Sequence, residues 1–85
     1  MKHILYFSAT WCGPCKALAP IMESLKSQVN YKKVDIDQEF DLAAKHSVRS
    51  VPTLVLIDET GEVQGRLVGT QSSQNILDFY NNYNG

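Results

Sequence analysis

The sequence has little sulfur, little indole and almost no charge imbalance. Its 85 residues contain two cysteines, one tryptophan and two histidines, with a net charge of −1. Each scarcity excludes something. Without an excess of Lys and Arg there is no basic field to hold nucleic acid or an anionic membrane surface. No apolar run approaches the roughly 20 residues of a membrane span. The run Ile4-Leu5-Tyr6-Phe7 after Met1-Lys2-His3 is too short for a signal peptide. The expectation is therefore a cytoplasmic protein. In a reducing compartment a lone cysteine pair is more often catalytic or redox-sensing than a structural staple. There is no second Cys-X-X-Cys, and His3 and His46 are far apart and lack the spacing of a His pair, so a four-ligand zinc site is disfavoured and no metal is expected. No repeat, linker, low-complexity segment or phosphate-cradling glycine loop interrupts the chain. One domain spanning 1–85 is expected. At this length folding buries roughly 60–65% of the unfolded surface, which leaves a modest core.

What is present is concentrated in Trp11-Cys12-Gly13-Pro14-Cys15-Lys16, which holds both cysteines and the tryptophan. The apolar run before it reads as a strand from His3 to Ser8, buried on both faces. Leu18, Ile21, Met22, Leu25 and Val29 follow at helical spacing, predicting a helix from about Gly13 to Gln28. Pro14 suits its first turn, and Pro20 lies inside it, where a bend is expected. The cysteines thus stand where a strand ends and a helix begins. Unpaired N–H groups and the positive end of the helix dipole favour an anion there. A thiolate is such an anion, and it is the reactive form of cysteine. Cys12, nearest that end, should be the more acidic, and Cys15, one turn in, should hold its proton longer. Redox exchange suits this segment better than zinc or an inert pair.

These residues resemble the active site of the thioredoxin family letter for letter. The resemblance extends to Pro20, to the strand Lys33-Val34-Asp35-Ile36-Asp37, to Val51-Pro52-Thr53 and to Gly69. It implies a thioredoxin-like α/β fold, βαβαββα, with a four-stranded mixed sheet flanked by three helices. The implied spatial order of strands is second, first, third, fourth, with the short helix alone on one face. The chain resembles a trimmed version of that fold, without the strand and helix that usually precede the active-site strand. The implied activity is reduction of protein disulfides. Cys12 would attack as nucleophile, Cys15 would resolve the mixed disulfide, and Gly13 and Pro14 would shape the ring between them. Trp11, Val51, Pro52 and Gly69 would form the contact surface, with a cis bond before Pro52. The implied partners are disulfide-bearing proteins and a recycling reductase, usually an NADPH-dependent flavoprotein. The protein would act as a monomer with no cofactor of its own. Two alternatives are a glutathione-fed, glutaredoxin-like enzyme and a non-catalytic binding subunit. The Gly-Pro dipeptide argues against the former, since glutaredoxins more often carry Pro-Tyr there.

The remaining chain alternates strand and helix. Tyr31–Asp35 reads as the second strand. A short helix follows from about Glu39 to His46, capped by Asp37, with Phe40, Ala43 and Ala44 turned inward. His46 reads as a helix-end histidine favourable to the dipole, and His3 as exposed. Thr53–Ile57 and 62–68 form a hairpin around Asp58-Glu59-Thr60-Gly61, with Gly61 at positive φ. Ser72 should cap a last helix over 73–80, with Ile76, Leu77, Phe79, Tyr80 and Tyr83 on its apolar face and 81–85 fraying. Two positions depart from the family pattern. Tyr6 stands where many thioredoxins bury a carboxylate, while the accompanying Lys33 is kept; Ser8 replaces a frequent indole. Lys33 should then reach Asp35, Asp37 or solvent, or lose its proton.

Overall fold

The computed structural model describes residues 1–82. Strand β1 (His3–Ser8) is apolar from Ile4 to Phe7, and both faces of that stretch are covered. Ile4 and Tyr6 point into one core and Leu5 and Phe7 into the other. Helices α1 (Gly13–Ser24) and α3 (Ser73–Asn81) cover the first face, where Leu18, Met22 and Ile76 meet Ile4, Tyr6, Leu54 and Leu56. Helix α2 (Phe40–Lys45) covers the other, where Ala43 and the half-buried Leu42 meet Leu5, Phe7, Val55 and Ile57. The sheet runs β2 (Tyr31–Asp35), β1, β3 (Thr53–Ile57), β4 (Val63–Val68). The β1–β2 pair is parallel, as a crossover through α1 requires, and the other two pairs are antiparallel. The alternation of elements is the one read from the sequence, and the strand order is the one implied by the family resemblance.

The differences are local and have physical causes. Helix α1 stops at Ser24, not Gln28. The Leu25 and Lys26 N–H groups bond back three residues, to Met22 and Glu23, which tightens the last turn. Leu25 and Val29 remain buried, so the helical spacing is kept beyond the helix. Asp37 does not cap α2. Glu39 is the N-cap, without a side-chain bond, and the preceding turn is closed by Asp35, whose carboxylate accepts the Asp37 N–H at 2.8 Å. Phe40 is 68% exposed and Ala44 is exposed too; of the three residues expected inside, only Ala43 is buried. A six-residue helix has under two turns, too few for its sequence to fix the phase. His46 does cap the end of α2. Burial first, then the charges of Lys45 and Arg66, push its pKa below the usual value, which weakens its charge interaction with the helix dipole. Ser72 caps α3 as expected, accepting the Asn75 N–H at 3.1 Å, and α3 continues through Asn81. Tyr83 and the end of the expected fraying segment lie outside the described residues.

The β3–β4 hairpin is tied by Asp58. Its carboxylate accepts the Thr60 hydroxyl at 2.6 Å, the Thr60 and Glu62 N–H groups at 2.8 and 3.0 Å, and the Gln64 amide at 2.7 Å. Glu62 is therefore engaged by the turn, and β4 begins at Val63. Gly61 takes φ +90°, as the turn demands. The bond from the Thr60 hydroxyl, followed by the backbone and Gln64 donors, holds the Asp58 carboxyl well below the usual carboxylate range. A group whose pKa is depressed by folding stabilises above its unfolded value, about 3.9 for Asp, and that contribution is lost as pH falls. Asp58→Asn should therefore lower the urea midpoint at neutral pH and flatten its decline as the pH falls below about 5. Equal acid dependence in both proteins would contradict this account of the hairpin.

Candidate active site

The strand end of β1 delivers the chain to the N-terminus of α1, and Cys12 is the N-cap. Its Sγ accepts the Cys15 N–H at 3.1 Å, so sulfur takes the place that an oxygen takes in ordinary caps. Gly13 and Pro14 occupy the first helical positions and are exposed. Cys12 and Cys15 are joined as a disulfide with Cα atoms 5.2 Å apart. They are 4% and 2% exposed, so exposure does not separate them in this state. The helix terminus does, because Cys12 Sγ is the sulfur that lies against an otherwise unpaired N–H.

Two loops close around the sulfurs. The Val51–Pro52 peptide bond is cis, and the Val51 carbonyl oxygen lies 3.5 Å from Cys12 Sγ. Val51 is half-buried and Pro52 buried. Gly69, at φ +87°, donates its N–H to the Pro52 carbonyl at 2.9 Å, which ties the end of β4 to the start of β3. Ala9, Val51 and Ile36 pack around both cysteines. Trp11 is 65% exposed, and its indole N–H donates to Asp37 Oδ2 at 2.8 Å. The sequence reading missed this role for Asp37. The signal was an acidic residue two positions beyond a parallel strand, at the sheet end where the cysteines sit.

Tyr6 lies beneath the helix start, 1% exposed, with its hydroxyl donating to the Cys15 carbonyl at 3.3 Å. Lys33, its register partner on β2, is exposed, with its ammonium 5.8 Å from the centre of the Tyr6 ring. Of the courses open to Lys33, solvent is the one it takes. A recess of about 120 Å³ lined by Ser8, Ala9, Thr10, Lys33 and Asp35 opens beside Ala9. Among the described residues no group of three or more His, Cys, Asp or Glu is placed to hold a metal, and no helix is long and apolar enough to cross a membrane.

A disulfide at a helix N-terminus, beside a cis-proline loop at one end of a mixed sheet, is the arrangement of a thiol-disulfide oxidoreductase. The sequence profile of the family described as Thioredoxin matches residues 1–82. A thioredoxin of Staphylococcus saprophyticus is 39% identical, over 89% of this chain and 76% of its own. A single-site mutant of thioredoxin from Halobacterium salinarum superposes with a TM-score of 0.90 at 37% identity, over 99% of this chain and 75% of its own. Schistosoma mansoni thioredoxin gives 0.87 at 33% identity, over 96% and 76%. The chain belongs to the thioredoxin family, and its activity is protein-disulfide reduction through the Cys12–Cys15 pair.

Because Trp11 is the only tryptophan, the indole–carboxylate bond has a direct optical readout. Asp37→Ala should mobilise the indole and lower its steady-state fluorescence anisotropy, with far-ultraviolet circular dichroism unchanged because both residues are exposed. Unchanged anisotropy would mean that packing, not Asp37, orients Trp11.

Proposed function

We propose that Cys12 is the nucleophile and Cys15 the resolving thiol of a cytoplasmic, monomeric reductase of protein disulfides. Cys12 thiolate attacks one sulfur of the partner's disulfide, forming the Cys12–partner bond and expelling the other partner sulfur as thiolate. Cys15 then loses its proton and attacks Cys12 Sγ, releasing the second partner sulfur and closing the ring. Two electrons have passed to the partner, and an outside dithiol must return them. An NADPH-dependent flavoprotein is the donor proposed. The observation that carries this assignment is the N-cap position of Cys12 Sγ, bonded by the Cys15 N–H. The helix dipole and that donor stabilise a charge on Cys12 more than on Cys15.

Trp11, Val51, Pro52 and Gly69 are proposed to receive the partner. No hydrogen bond within the described residues takes the Val51 N–H, and the Val51 carbonyl faces Cys12. An extended partner segment could pair with both groups in the manner of an added strand. Cys12→Ser should abolish insulin-disulfide reduction, while Cys15→Ser should accumulate mixed disulfides with partners. Trapping by Cys12→Ser, with none by Cys15→Ser, would reverse the roles.

Tyr6 and Lys33 are proposed to support the site without supplying a buried base. A phenol with a pKa near 10 is a poor proton acceptor at neutrality. The Tyr6 hydroxyl is moreover engaged with the Cys15 carbonyl. The Cys15 proton then has to leave toward water, and resolution should quicken as pH rises and the thiol ionises. Tyr6→Asp should accelerate decay of the mixed disulfide several-fold near neutral pH and flatten its pH profile, whereas Tyr6→Phe should leave that profile in place. Superimposable profiles for wild type and Tyr6→Asp in stopped-flow decay would mean that Tyr6 only fills the core.

A further inference from the structure

The opposite end of the sheet carries a second concave site. Strands β1 and β2 begin there and β3 ends there, with the C-terminus of α2 alongside. The groove between them has a volume of about 480 Å³. Its apolar lining comes from Leu5, Leu42, Ile57 and Val63, the last of these 46% exposed. Its polar lining comes from His3, Lys32, Lys45 and His46, and no carboxylate lines it. The whole chain has nine acidic and eight basic residues, so a one-signed lining does not follow from composition.

The two lysines are available. Both are exposed, and among the described residues neither ammonium makes an ion pair or hydrogen bond. The positive field at this end is already felt by His46, whose pKa is pushed down by burial and then by Lys45 and Arg66. The Arg66 guanidinium is held there by the His46 and Ser47 carbonyls, at 2.5 and 3.4 Å. Size favours a small molecule over a docked helix. A helical turn with side chains, 10–12 Å across and 5.4 Å high, occupies roughly 500 Å³, so the groove would hold only one turn. The same volume falls within the roughly 300–1,000 Å³ of small-molecule pockets.

We propose that this groove binds a small amphiphilic carboxylate, its apolar body over Leu5, Leu42, Ile57 and Val63 and its charged head on the ammonium groups of Lys32 and Lys45. The site lies apart from the cysteines, and disulfide reduction does not use it. The test is an amide chemical-shift titration of the intact protein with decanoate below its micelle concentration. Acetate and decyltrimethylammonium serve as the headgroup-only and opposite-charge controls. Decanoate should shift the amides of His3, Leu5, Leu42, Lys45 and Ile57 in a saturable way, and neither control should match it. Lys32→Glu with Lys45→Glu should weaken decanoate about tenfold or more, the equivalent of ~1.4 kcal/mol, with amide dispersion reporting an intact fold. Equal binding of the cationic amphiphile would overturn the proposal, as would shifts centred on Trp11 and Val51 or affinity unchanged by the charge reversal. Binding of an acidic helical peptide here, more tightly than decanoate, would replace it with a protein-docking surface.

Discussion

The functional end of this protein rests on one contact, the Cys15 N–H on Cys12 Sγ. A helix must leave its first N–H groups without internal partners, and here one of them meets a sulfur. That is possible because β1 is buried on both sides and ends directly before the turn, so the start of α1 is fixed by the core. The facing loops are fixed by the same sheet. Gly69 at the end of β4 bonds the Pro52 carbonyl at the start of β3, and so presents the Val51 carbonyl to the sulfur. Each group around Cys12 is therefore placed by a strand end or by the helix start.

Much of this was legible because it rested on local patterns. Cys-Gly-Pro-Cys at the junction of an apolar run and a helical repeat specifies the N-cap geometry with few alternatives. Ser72 and Gly61 read correctly because capping and positive φ are decided by neighbours a few residues away. What failed was not decided by the local sequence pattern alone. Asp37 looked like a cap for α2, but the indole of Trp11, 26 residues away, takes its carboxylate. Phe40 looked like a core residue, but its helix is too short for one residue to dictate which face turns inward. The end of α1 moved because the tightened turn after Ser24 still buries Leu25 and Val29, so periodicity outlasts the helix.

Tyr6 links these two kinds of position. Its burial follows from strand alternation, and its hydroxyl reaches the Cys15 carbonyl because the first turn of α1 crosses directly over β1. Lys33 beside it on β2 is exposed and needs no buried counter-charge. The pair thus avoids the cost of a buried carboxylate, and the asymmetry proposed between the two thiols then rests on the helix terminus.

That asymmetry is the central claim, and the most direct measurement is a thiolate titration of the reduced protein by ultraviolet absorbance, in wild type and in each single-cysteine variant. The account predicts that Cys12 ionises well below the ordinary thiol value of about 8.5, and that Cys15 alone ionises at or above it. Coincident titrations near the ordinary value, or a lower pKa for Cys15, would contradict the assignment of the helix N-terminus as the device that activates this site.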